Sequence, residues 1–173
     1  MKKTAVVVAL FMLALPCVAL GQGKPTQPPK PGPEAQKLAQ WLGRWKCALE
    51  NPAGEMTMTC AWEAGGFFMV CGSVIGQTEL TTVRGYHADE KAYWSFRYFN
   101  HGGADFSRGW LHGETWAFVH EDEHRGGKAL RRQLTQTFQS PTEWTLQFQY
   151  STEGAPWVTN QVGKCTRAGA GSQ

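Results

Sequence analysis

Residues 120–124 read His-Glu-Asp-Glu-His, which fits the H-E-x-x-H pattern of zinc-dependent peptidases. That chemistry needs two imidazoles one helical turn apart on a zinc ion and a carboxylate that activates the bound water. The flanking residues do not supply the helix. Thr115–Val119 alternates like a strand, and Arg125-Gly126-Gly127 is a turn signal, so the segment is expected to be a solvated hairpin loop without a metal. No G-x-S-x-G nucleophile motif occurs, and no C-x-x-C. His87, His101 and His112 fall in turns or at strand ends. A haem-binding barrel would need an inward histidine, a place only His120 could fill. No catalytic residue and no cofactor are expected.

A second set of side chains points to binding rather than catalysis. Met58, Met69, Trp94, Phe96, Tyr98, Phe148 and Tyr150, together with Met56, fall on strand faces expected to point inward. Methionine and aromatic side chains line deformable apolar cavities, and they also fill small barrels outright. Arg132 shares a face with Leu130, Leu134 and Phe138 and is expected inside as well. There a guanidinium either stacks on a core ring such as Trp45 or meets an anionic ligand. Arg125, Lys128 and Arg131 follow an acidic stretch and are expected to pair with it at the outer surface.

Positioning these residues is the work of an export-type chain with one domain. Lys2 and Lys3 precede an apolar run from Ala5 to Leu15, Pro16 breaks it, and Ala19-Leu20-Gly21 carries small residues at the cleavage positions. Residues 1–21 are therefore expected to be a secretory signal peptide, too short in its apolar part to span a membrane. Lipidation at Cys17 is disfavoured, because Pro16 stands where a small residue is required. Residues 22–33 contain five prolines and form a tether; 34–167 is the folded domain; 168–173 is a disordered tail. The expected location is the periplasm or the exterior. Of the 17 basic residues, Lys2 and Lys3 leave with the leader, so 15 face 14 acidic ones and nucleic-acid binding has no electrostatic support.

Within the domain one segment reads as helix. Pro33 suits a first turn, Leu38, Trp41 and Leu42 share one edge, and Gly43 suits the end. Everything after it alternates with period two. Ten strands are expected, at 44–50, 55–63, 67–75, 80–86, 92–99, 105–111, 115–121, 128–138, 143–151 and 157–166, separated by Gly-, Pro- and Asn-rich turns. Short connections throughout favour an all-β, antiparallel, up-and-down lipocalin-like barrel with one short N-terminal helix. The faces of 105–119 conflict: a His112-Gly113 turn sets Trp116 opposite Gly109, whereas Phe106, Arg108 and Trp110 favour the other face.

Four cysteines remain after leader removal, an even number suited to an oxidising compartment. A two-residue Gly65-Gly66 turn sets Cys60 opposite Cys71, and Cys47 with Cys165 would then join the first and last strands. The pairing Cys47–Cys60 with Cys71–Cys165 is also open.

Gly43-Arg44-Trp45, after a short helix and opening the first strand, resembles the GxW signature of lipocalin-like barrels. LAQWLGRW at 38–45, CAWEAGGFFMVC at 60–71 and GYHADEKAYW at 85–94 resemble an uncharacterised bacterial family numbered fifteen seventy-nine among domains of unknown function, with GWLHGETW at 109–116 a weaker match. The resemblance implies a calycin-type barrel and no established activity. His87 stands where that family usually has Asp, and the second lipocalin signature is absent. The function expected is binding of a small hydrophobic or amphipathic molecule, with an envelope interaction module built on a filled barrel as the alternative and a hydrolase or metalloenzyme third.

Overall fold

The structure, a computed structural model, describes residues 29–125 and 128–169, and the side chains of 121–125 and 128 are outside that description. The expected leader, most of the expected tether and the end of the expected tail lie outside the described residues. Ten strands form one closed antiparallel barrel in which each pairs with its sequence neighbours and β1 closes on β10. They are β1 (Gly43–Glu50), β2 (Gly54–Glu63), β3 (Phe68–Ile75), β4 (Thr78–His87), β5 (Ala92–Phe99), β6 (Ala104–His112), β7 (Thr115–Arg125), β8 (Lys128–Ser140), β9 (Glu143–Thr152) and β10 (Val158–Arg167). Each expected strand is present, most extended by a residue or two. The largest extension is β7, which runs through 122–124; the expected loop is there a strand with a register irregularity between His120 and Glu123. Among the described residues no helix is long and apolar enough to cross a membrane.

The disulfides are Cys60–Cys71 and Cys47–Cys165. Both are cross-strand pairs, the first on the β2–β3 hairpin and the second on the β1–β10 seam. The seam bond joins the two strands furthest apart in sequence, so it holds the barrel closed.

The helical segment breaks into one α turn, Pro33–Gln36, and a 3-10 turn, Lys37–Trp41. Its apolar edge plugs one end of the barrel. Leu38 and Trp41 are fully buried, and Trp41 packs on Trp116 at 4.6 Å and on Phe138 at 5.6 Å between centroids. Three polar contacts fix the plug. The Trp45 indole donates to the Trp41 carbonyl at 2.8 Å, the Trp116 indole to Gln40 Oε1 at 2.9 Å, and the Tyr93 hydroxyl to Glu34 at 2.9 Å. Burial, then the Glu34 carboxylate, pushes the Tyr93 phenol up. The ring stack needs room, and Gly109 provides it: a Cβ there would sit 2.3 Å from the Phe118 ring.

Face assignment follows from register. Cys60 and Cys71 point inward, Cys71 lies opposite Thr82, Thr82 opposite Arg97, and Arg97 opposite Asp105, with no irregularity from β2 to β6. The inner face of β5 is therefore Tyr93, Ser95 and Arg97. The β6–β7 turn is Gly113-Glu114 rather than His112-Gly113, because His112 pairs with Thr115. That sets Gly109 against Phe118 and Leu111 against Trp116, without a bulge, and leaves Trp110 exposed on the outside.

Candidate functional site: a polar layer inside the barrel

The barrel interior has two unlike halves. Next to the helical plug, Trp41, Trp45, Trp116, Phe118, Phe138 and Trp144 form one aromatic stack. Toward the other end the inward positions change to Ser73, Thr82, Ser95 and Ser107, all buried. Small hydroxyl residues at these positions leave space that long side chains from other strands enter. Arg97 lies against Asp105 as a two-pronged pair at 2.8 and 2.7 Å, and Arg132 approaches the same carboxylate at 3.7 Å. The Asp105 side chain is only 4% exposed, so this is a sheltered ion pair, where a fork-to-fork contact is strongest. His120 Nδ1–H donates to the Phe106 carbonyl oxygen, which leaves Nε2 as the imidazole's other polar atom. Ser95, Arg97, Ser107, Phe118, His120, Arg132, Leu134 and Phe148 enclose a cavity of about 10 Å³, about the space of one water.

Arg84 lies at the border between the halves. It is 4% exposed, its guanidinium stacks over the Trp41 ring at 4.2 Å and the Phe118 ring at 4.8 Å, and its Nη2 donates to Gln136 Oε1 at 2.8 Å. Its Nε and Nη1 are buried and without a hydrogen-bond partner. Burial, and then the charge of Arg97, pushes its proton affinity down to about 9. A guanidinium taken out of water and given no carboxylate carries a desolvation cost that rings and one amide offset only in part.

The structure divides the side chains expected to bind a ligand. Met58 and Met69 are inward but packed solid in the aromatic half, 6% and 0% exposed. Arg132, Phe148 and Tyr150 are inward in the polar half, with Tyr150 opposite Arg132 and Phe148 opposite Leu134. Arg132 does not stack on Trp45; Arg167 covers that ring at 4.3 Å, and the arginine on a core tryptophan is Arg84. Trp94, Phe96 and Tyr98 point outward, which corrects their inward assignment. Both faces of β5 carry rings, and register places the face with Ser95 and Arg97 inside, where Asp105 pairs with Arg97.

These outer rings build a separate surface. Phe68, Val83, Trp94 and Phe96 border a groove of about 160 Å³ over Gly85, whose missing side chain admits the Phe68 ring. Trp94 stacks on His87 at 4.2 Å, and its indole donates to Glu90 at 3.0 Å. Tyr98 lies further along, 52% exposed.

Arg84, Arg97, Asp105, Ser95 and Ser107 are site residues that alternation alone misses. The signal for them is the chain of register from Cys60–Cys71: counting across three hairpins puts these polar residues on the cysteine face.

The architecture is that of a closed ten-stranded antiparallel barrel with a polar layer inside. A similar fold occurs in the crystal structure of Rv2717c from M. tuberculosis, which aligns with 81% of this chain and 100% of its own length at a TM-score of 0.51 and 12% identity. At that identity the likeness is one of fold. No family model matches the chain, and neither does any curated protein.

Proposed function

We propose that the protein is an exported barrel that binds a small amphipathic molecule in the polar half of its interior, entering at the end away from the helical plug. One observation carries this reading: buried serines and a threonine stand where a filled barrel would carry large apolar residues, and arginines occupy the space beside them. A barrel evolved only to be solid has no use for buried charge, since apolar side chains of equal volume stabilise it as well or better. In the ligand-free protein the arms of Arg97 and Arg132 and the Phe148 ring occupy the space, and admission of a ligand moves them toward the mouth. Export is supported by the two disulfides and by the leader-like start of the chain. Kinship with the family of unknown function rests on the sequence motifs already quoted. Native mass spectrometry of protein purified from its own envelope tests the reading, and a copurifying small molecule is the expected result. Absence of any such molecule, with no binding of hydrophobic dyes or fatty acids after refolding, refutes it.

A second reading is favoured by the outer groove of Phe68, Trp94 and Phe96: contact with another envelope protein. Crosslinking in cells with a photoreactive residue at position 68 tests it, and recovery of no adduct counts against it.

A further inference from the structure

We infer that Arg84 is the seat of a carboxylate, so that the amphipathic molecule of the proposed function is a carboxylic acid held head-down, its chain running toward the open mouth. The inference rests on that reading and adds the class of ligand.

Apart from Arg167, which covers Trp45 beside the plug, three inward guanidinium groups occupy the described interior, and they are not equivalent. Arg97 and Arg132 share the Asp105 carboxylate. Arg84 has no carboxylate among the described residues; its ligands are two aromatic faces and the Gln136 amide oxygen. Aromatic faces supply attraction to a cation but accept no in-plane N–H bond. Nε and Nη1 are left buried without an acceptor, and Nη2 keeps a second N–H besides the one on Gln136. The two flat edges of a guanidinium are Nε with Nη2 and Nη1 with Nη2; the Gln136 bond engages one of them, and the other is open to a carboxylate with two parallel hydrogen bonds.

The surroundings favour an oxyanion over a neutral acceptor. Arg84 pairs across β4–β5 with Ser95, and Ser95 opposes Ser107 across β5–β6. Both hydroxyls are buried, and both line the small cavity. The direction of the chain follows from what lies on each side. Behind Arg84 is the aromatic stack, closed by the plug. Ahead are Leu134, Phe148 and Tyr150, all half-buried. An anionic head therefore meets Arg84 at the floor, and an apolar tail replaces the Phe148 ring and its neighbours.

The test uses the mature protein, unfolded, freed of bound molecules and refolded. Octanoate and 1-octanol are titrated by calorimetry and by tryptophan emission, with Trp41 reporting because its ring lies on the Arg84 guanidinium. The expected result is octanoate binding at least tenfold tighter than octanol, with acetate competing at high concentration. Arg84→Met is expected to bind octanoate and octanol alike. Arg84→Lys, which keeps the charge but lacks the fork, is expected to fall between them, and it serves if the methionine variant does not fold. Equal affinity of the wild type for octanoate and octanol overturns the carboxylate seat while leaving small-molecule binding standing. Octanoate binding that is unchanged in both variants places the anion elsewhere and overturns it as well. Binding of neither ligand overturns both this inference and the function on which it rests.

Discussion

The two disulfides are expected to differ in what they contribute, and the difference is a test of barrel closure. Cys47 and Cys165 are 118 residues apart, Cys60 and Cys71 only 11. In the chain-entropy account, cross-linking the longer loop removes about 5 kcal/mol of unfolded-state freedom and the shorter about 3. Both pairs are buried, with no cysteine above 3% exposure, so replacing either pair by alanine leaves cavities of the same kind. The packing losses largely cancel in the comparison, and the double variant Cys47→Ala/Cys165→Ala should be less stable than Cys60→Ala/Cys71→Ala by about 2 kcal/mol. For a domain of this size that is a gap of roughly 6 °C in melting temperature. Urea unfolding followed by tryptophan emission measures both, provided the slopes agree. Equal losses, or a larger loss from the hairpin pair, would refute the argument, because the seam bond would then not be what restrains the open chain.

Three further outcomes are expected. Asp105→Ala leaves Arg97 and Arg132 without their shared carboxylate inside the barrel and should cost about 3–5 kcal/mol in urea unfolding, whereas a loss under about 1 kcal/mol would mean that water already screens the pair. Gly109→Ala drives a Cβ to 2.3 Å from the Phe118 ring and 2.9 Å from the Ala117 carbonyl oxygen, and it should destabilise by about 1–3 kcal/mol; an unchanged melting temperature would show that the aromatic stack can shift. The Glu34 carboxyl is held below its ordinary value of 4.5, first by the hydrogen bond from Lys37 and then by that from Tyr93. A depressed carboxyl contributes stability above its unfolded value and loses it as pH falls through the folded one, so docking of the plug should weaken below about pH 4.5, and Glu34→Gln should flatten that part of the stability–pH curve. An identical acid limb in the variant would remove Glu34 from the account.

Much of the architecture was legible in the chain because it is local. Ala92–Phe99 is bounded by ADEK and NHGG, and its ends match the structure to the residue. The count from a two-residue Gly65-Gly66 turn paired Cys60 with Cys71, and the pairing holds although the connection is a 3-10 turn over Ala64–Gly66, because the last strand pair, Glu63 with Phe68, lies on that same register. The HExxH pattern was expected in a solvated loop, and the structure instead carries it in β7, because the period-two alternation of Thr115–Val119 continues through it.

The interior was another matter. Trp94, Phe96 and Tyr98 are the most apolar face of β5, and hydrophobicity alone assigns them to the core. They are outside because β5 is one member of a continuous ladder, and a strand cannot turn over without breaking the register of its neighbours. The same ladder carries Arg84, Arg97 and Asp105 inward, where Asp105 reaches two of the three guanidinium groups. Local pattern, acting within a strand and its turn, thus determined ten strands, the helical plug and the hairpin disulfide. Closure of the sheet decided which face of each strand met the interior, and through that the choice of Arg84 rather than Arg132 as the buried cation over a tryptophan. The physical reason is that side-chain direction in a barrel is shared among strands through their hydrogen bonds, while sequence periodicity describes one strand at a time.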